Sequence, residues 1–288
     1  SETKPSVSSC HILLDSLQKI CLMHGIEVDY YKKLFQTAGN IIELIEKDDI
    51  PKYLLFLENV FPYMDNYNYQ KGMKAILQEL KNFLKRKDIG TDSDRALLLD
   101  FQATLEIKPE KAMKLEKDAL ALITEITEDN AHLVSNLHSN LGGLYRMNGY
   151  PDLAMEHMEK GLFLLEQYNL LYTHDGIPQA TNYAMFLTEQ QAPEKGISVL
   201  QKLSKSIKEY NSDCCLDYAT VQETLGTIYL MIANLPQAKT HFKKACKIYE
   251  KIWADEPEMI EKKYLEIQEL YPQVGYFLGQ QISNFLTE

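Results

Sequence analysis

Several things are missing from this chain of 288 residues. It has no Gly-x-x-x-x-Gly-Lys-Ser/Thr loop and no Gly-x-Gly-x-x-Gly, so no nucleotide-phosphate cradle is indicated. It has no His-Glu-x-x-His and no paired Cys/His spacing, which removes the usual zinc patterns. Asp92-Ser-Asp94 lacks the glycine and distal glutamate of a calcium loop. The seven histidines are scattered, and His132 and His138 stand six apart, on different faces of a helix. Vicinal Cys214 and Cys215 have no elbow or strand to hold a thiol catalyst. No catalysis, cofactor or metal is expected.

Positive charge is also short. Thirty Lys and Arg against 41 Asp and Glu leave a net charge of −11, which argues against a broad nucleic-acid surface. No apolar run reaches the roughly 18 residues of a membrane span, and polar Ser1–Ser9 precede no signal-type core. The five cysteines (Cys10, Cys21, Cys214, Cys215, Cys246) are odd in number and form no Cys-x-x-Cys pair. They read as reduced, buried small hydrophobes in a cytoplasmic protein. A start at Ser1 rather than Met suggests a part of something longer.

What is present is periodicity. Ala112, Ala154, Gly196 and Ala238 are each 42 apart, and Pro109, Pro151, Pro193 and Pro236 precede them by two or three residues. Glu110, Asp152, Glu194 and Gln237 follow those prolines. Proline suits the first turn of a helix, where its missing donor costs nothing, and an acid there complements the helix dipole. Apolar residues recur at three- and four-residue steps, as in Leu133, Leu137, Leu141, Leu144 and Tyr145. Strand-like alternation of useful length is absent. The pattern predicts about fourteen helices, near 10–24, 28–47, 50–65, 69–87, 92–106, 109–126, 130–148, 151–168, 175–190, 193–210, 214–233, 236–254, 256–271 and 273–286. Short links make successive helices antiparallel hairpins. A period near 40 residues marks a stacked repeat architecture.

In register, one hairpin reads Leu141-Gly142-x-x-Tyr145, a turn Gly149, then Ala154, Met158 and Gly161. Another reads Leu225-Gly226-x-x-Tyr229, then Ala238, Phe242 and Ala245. This resembles the tetratricopeptide repeat in its long form, as in kinesin light chains and bacterial peptide-sensing regulators. Tyr183 replaces the leucine in the fourth hairpin, and the second has Asp100 for the glycine and Glu116 for the aromatic. The resemblance implies an all-α fold, a right-handed α-solenoid of about seven helix pairs. It divides into divergent repeats over 1–90, the 42-residue repeats over 91–254, and capping helices over 255–288, in one continuous superhelix.

The resemblance also implies that the first helix of each pair lines a concave groove. By register, the second repeat then contributes Asp94, Leu97, Leu98, Phe101 and Thr104. The third contributes Asn136, Ser139, Asn140, Gly143, Arg146 and Met147. The fourth contributes Pro178, Thr181, Asn182, Met185 and Thr188, and the fifth Thr220, Glu223, Thr224, Thr227 and Leu230. Asn136, Asn140, Arg146, Thr181, Asn182, Met185, Glu223 and Thr227 are the candidate contacts. Asn140 and Asn182 share one register. A side-chain amide can pair with the backbone of an extended peptide, or it can bridge neighbouring helices. Arg146 can meet a carboxylate.

The expected function is a non-catalytic module that binds a protein or peptide in this groove as a scaffold or adaptor. The alternatives are the peptide-sensing domain of a bacterial transcriptional or signalling regulator, and a regulatory repeat domain of a larger enzyme. Leu17–Leu34 shows no convincing helix-turn-helix. The tyrosine-rich stretch with Tyr30, Tyr31, Tyr63, Tyr67 and Tyr69 reads as core, with a homodimer contact as the other reading. Neither membrane nor direct nucleic-acid binding is expected.

Overall fold

The computed structural model describes residues 36–66, 70–173 and 175–269. Among them the regular structure is helical. The helices are α1 Ile50–Asn66, α2 Gln70–Lys87, α3 Asp92–Thr104, α4 Pro109–Leu122, α5 Ala131–Met147 and α6 Pro151–Gln167. They continue with α7 Gly176–Glu189, α8 Pro193–Tyr210, α9 Leu216–Met231, α10 Leu235–Ile252 and α11 Pro257–Glu269. The expected helices near 10–24 and 273–286 lie outside the described residues, as do Tyr30, Tyr31, Tyr67 and Tyr69. The 28–47 helix is only partly described, and it does not run through to 47. The chain instead makes two 3-10 turns, Ile42–Leu44 and Lys47–Asp49. Glu46 and Asp49 cap each other there, with Glu46 N donating to Asp49 Oδ2 at 3.1 Å. That reciprocal cap ends one helix and starts the next.

Local chemistry sets the other starts. Pro109 and Pro193 occupy the first turns of α4 and α8 with Glu110 and Glu194 beside them. Thr91 caps α3 by accepting from Asp94 N at 3.1 Å, and Asp94 Oδ2 accepts from Thr91 N at 2.6 Å. The ends follow a rule of their own. Gly149, Gln191 and Ala233 all have positive φ, at 77°, 60° and 57°. The amide after each bonds five residues back: Tyr150 to Tyr145 O at 3.0 Å, Ala192 to Leu187 O at 2.8 Å, Asn234 to Tyr229 O at 2.8 Å. This left-handed helix stop repeats every 42 residues, although only one of the three residues is glycine.

The chain forms two compact units that divide in sequence between Ala154 and Met155, inside α6. In the first unit, Tyr53, Phe56, Leu57, Met73, Leu77, Leu80, Phe83 and Leu84 fill the core between α1 and α2. Tyr53 donates its buried hydroxyl to Ala38 O at 2.9 Å. Ala96, Ala119, Leu133 and Leu137 close α3, α4 and α5 together. In the second unit, α7 packs with α8, α9 with α10, and α9 lies against both α7 and α8. Its core includes Ala180, Ala184, Leu200, Leu203, Ile207, Tyr218, Val221, Leu225, Ile228, Ala245 and Tyr249.

Small residues sit where helices come closest. A Cβ on Gly196 would lie 2.5 Å from Ala184 O, so α7 and α8 touch through a bare backbone. A Cβ on Gly226 would lie 3.0 Å from the Phe242 ring, which fills the space that glycine leaves. Cys246 is buried as expected, whereas Cys214 is exposed and Cys215 half-buried. Both lie in the link between α8 and α9, where Cys215 packs against the edge of the second unit's core and Cys214 does not.

Candidate functional site

A cleft of about 390 Å³ opens between α7 and α9 in the second unit. Ile177, Thr181 and Met185 follow the four-residue step of one helical face, and Pro178 and Asn182 follow it alongside. Asp217, Thr220 and Thr224 share a face of α9 at steps of three and four, and together these residues line the cleft. The hydroxyls are occupied within their own helices. Thr181 donates to Ile177 O, Thr220 to Leu216 O at 3.0 Å and Thr224 to Thr220 O at 2.9 Å. Such back-bonding engages the threonine donors within their own helices. The Asn182 amide and the Asp217 carboxylate are different: neither makes a hydrogen bond or ion pair to another described residue. The cleft therefore combines an apolar floor with one amide and one carboxylate.

Thr181, Asn182 and Met185 are thus brought together, along with Pro178, Thr220 and Thr224 from the same register. Ile177 and Asp217 were not anticipated. Both lie one turn earlier than a position that was, and extending each face by a turn would have found them. Thr188 and Leu230 are core rather than groove, at 8% and 2% exposure. Thr188 bonds Ala184 O at 2.9 Å. Thr227 is half-buried and donates to Glu223 O at 3.1 Å.

Glu223 is engaged internally. Its Oε2 accepts from Tyr249 OH at 2.8 Å and pairs with Lys263 Nζ of α11 at 3.1 Å. Lys263 Nζ also stands 5.5 Å from the Tyr249 ring centre and 3.2 Å from Glu266. Burial works to lower the Lys263 pKa, but Glu223 and Glu266 outweigh it and the net shift is upward. Burial first, then the Glu223 charge, raises the Tyr249 hydroxyl well above its usual range. This cluster ties α9, α10 and α11 together through Glu223 Oε2 and commits the Glu223 charge to an internal partner.

The first-unit candidates are also engaged. Asn136 and Arg146 already interact with other residues of the chain. Asn140 Nδ2 donates to Asp100 Oδ1 at 2.8 Å, bridging α5 to α3. Behind this bond lies Glu116 of α4, 2% exposed and hydrogen-bonded to both Asp100 and Asn140. Burial pushes the Glu116 carboxyl far above the carboxylate range, and the Asp100 charge adds to the shift. The shift favours the protonated form of Glu116 at neutral pH, and its Oε2 has no partner among the described residues. Leu98 and Phe101, also assigned to the groove by register, are buried at 2% and 5% exposure.

Among the described residues no group of three or more His, Cys, Asp or Glu can hold a metal ion. No described helix is long and apolar enough to cross a membrane.

Residues 177–251 match the family model for the tetratricopeptide repeat, the stretch that contains the cleft. No curated protein matches the chain. Among solved structures, a kinesin light chain of Podosopora anserina with nearly identical TPR-like repeats is 14% identical. It covers 68% of this chain and 94% of its own, with a TM-score of 0.55. BtubC (BKLC) from P. vanneervenii is 16% identical over 81% of this chain and 87% of its own, with a TM-score of 0.52. A Rap protein complexed with competence and sporulation factor is 17% identical over 98% of this chain and 78% of its own, with a TM-score of 0.51. At these identities the likeness is one of fold.

Proposed function

We propose that this tetratricopeptide-repeat protein is a non-catalytic binder, and that the cleft between α7 and α9 takes an extended segment of a protein or peptide. The observation that carries the reading is the unengaged pair of Asn182 and Asp217 above Ile177, Pro178 and Met185. An amide can serve a peptide N–H and C=O together, and the apolar floor can bury a side chain. Charge narrows the ligand. Neither α7 nor α9 carries a lysine or arginine, and their charged residues are Glu189, Asp217 and Glu223. A neutral or cationic segment fits there better than an acidic one.

The test is to select a random peptide library on the protein, then re-measure the selected peptides on Asn182→Ala and Met185→Lys variants. We expect losses of a few-fold to about tenfold for Asn182→Ala, the worth of one hydrogen bond, and larger losses for Met185→Lys. Unchanged affinity in both folded variants would reject the cleft.

Within this reading the protein acts as a scaffold or adaptor. A sensor role is the second reading. It is supported by the likeness over 98% of the chain to a Rap protein solved with competence and sporulation factor. Solution scattering separates the two: a sensor compacts when its ligand binds, whereas an adaptor keeps its dimensions.

A further inference from the structure

A second cleft, in the first unit, has the opposite electrostatic character. It measures about 320 Å³ and lies where the end of α2, the start of α3 and the end of α4 meet. Its floor is Leu84 and Leu98, both fixed in the core at 1% and 2% exposure. Its walls are Leu99 and Leu122, which the fold covers only in part. Four leucines around a space at the lower end of ligand-pocket size make a lining for hydrocarbon.

The rim is cationic. Lys81 and Lys85 stand one turn apart on α2, and Arg95 reaches the cleft from α3. Asp88 is the one acid among the lining residues. Internal partners hold these cations weakly. Lys85 makes no hydrogen bond or ion pair to another described residue. Lys81 Nζ reaches Gln102 Oε1 only at 3.5 Å. Arg95 pairs with Asp92 at 3.0 Å through one guanidinium nitrogen, in an exposed (i, i+3) contact of the kind that contributes little. A hydrocarbon interior under a positive rim is complementary to a molecule that is apolar at one end and anionic at the other.

We infer that this cleft is a binding site for a small amphipathic carboxylate, its aliphatic body against Leu84, Leu98, Leu99 and Leu122 and its carboxylate between Lys85 and Arg95. Arg95 can offer the carboxylate two parallel donors, and Lys85 a point charge. The site shares no residue with the cleft of α7 and α9.

Octanoate, octanol and octylamine, titrated into the full chain by calorimetry, test this with one body and three heads. Octanoate should bind saturably and at least tenfold more tightly than the other two. Hexanoate should bind more weakly by about fourfold for each methylene removed. Lys85→Glu combined with Arg95→Glu, both at the protein surface, should weaken octanoate at least tenfold with the thermal unfolding profile unchanged. Asn182→Ala should leave octanoate binding as it was. Equal binding of the three heads, no binding of octanoate, or full affinity in the folded Lys85→Glu/Arg95→Glu protein would each overturn the assignment.

Discussion

The second and fifth hairpins solve one packing problem in two ways. In the fifth, Gly226 on the first helix contributes no side chain, and the Phe242 ring from the second helix covers its backbone. In the second, the same two register positions hold Asp100 and Glu116, and a buried Glu116 carboxyl is hydrogen-bonded to Asp100. A ring on a bare backbone is stabilised by apolar burial. A buried acid pair offsets its desolvation only through hydrogen bonds. The two positions must therefore change together. Asp100 would meet a ring at 116, and Glu116 without Asp100 would lose its acceptor. Each departure from the repeat pattern looks like decay when read alone, and the pair reads as a replacement.

The largest effect should come from emptying the apolar version. Phe242→Ala should destabilise the second unit by about 3–5 kcal/mol, read by urea unfolding. A loss under about 1 kcal/mol would mean that the ring does little more than cover a surface.

Next comes the response of the polar version to pH. The folded state holds the Glu116 pKa above its ordinary value of 4.5, so above that pH the folded protein binds more protons than the unfolded chain. Its stabilising contribution is complete below about pH 4.5 and is lost as pH rises toward the folded value. Glu116→Gln keeps the shape without the titration. The variant should therefore gain on the natural protein with rising pH, by up to about 1.4 kcal/mol per pH unit inside that window. Parallel pH profiles of the two proteins would contradict a raised Glu116 pKa.

Exchanging the two solutions sharpens the comparison further. Asp100→Gly and Glu116→Phe should each destabilise alone and partly rescue one another, with a coupling of about 0.5–3 kcal/mol in a double-mutant cycle. Additive losses would show that the pair does not act as a unit.

The helix stops provide the smallest effect. Ala233 holds a positive φ that glycine adopts without strain, so Ala233→Gly should stabilise by about 0.5–1 kcal/mol. The second hairpin turns without a left-handed residue. There, Leu105 is right-handed at the end of α3 and Glu106 Oε1 accepts from Lys108 N at 3.2 Å. Ile107→Gly should accordingly bring no gain, and thermal melts of the two variants compare them directly.

These hairpins also show what a sequence can and cannot disclose. Helix limits were legible because their causes are local. Proline at a first turn put α8 at Pro193–Tyr210, and α4, α6 and α7 end within a few residues of expectation. The left-handed stops escaped notice because Gln191 and Ala233 adopt by packing what Gly149 adopts by nature. Asn140 and Asn182 could not be told apart by register, yet one is engaged and the other open. Asn140 has the Asp100 carboxylate forty residues before it on α3, a partner that the shared register of the two asparagines does not reveal. Glu223 looked like a groove residue for a related reason: the lysine that engages it sits on a separate helix, forty residues later.

The absence of cations from α7 and α9 has a kinetic side. Those two helices hold Glu189, Asp217 and Glu223, while α8 carries four lysines and α10 five. A cationic segment diffusing toward this unit is drawn to the acidic helices and turned away from the lysine-rich ones, so many of its collisions are corrected before contact. Such steering is screened by salt over about 8–10 Å. The rate of capture should fall with ionic strength while the rate of release stays nearly constant.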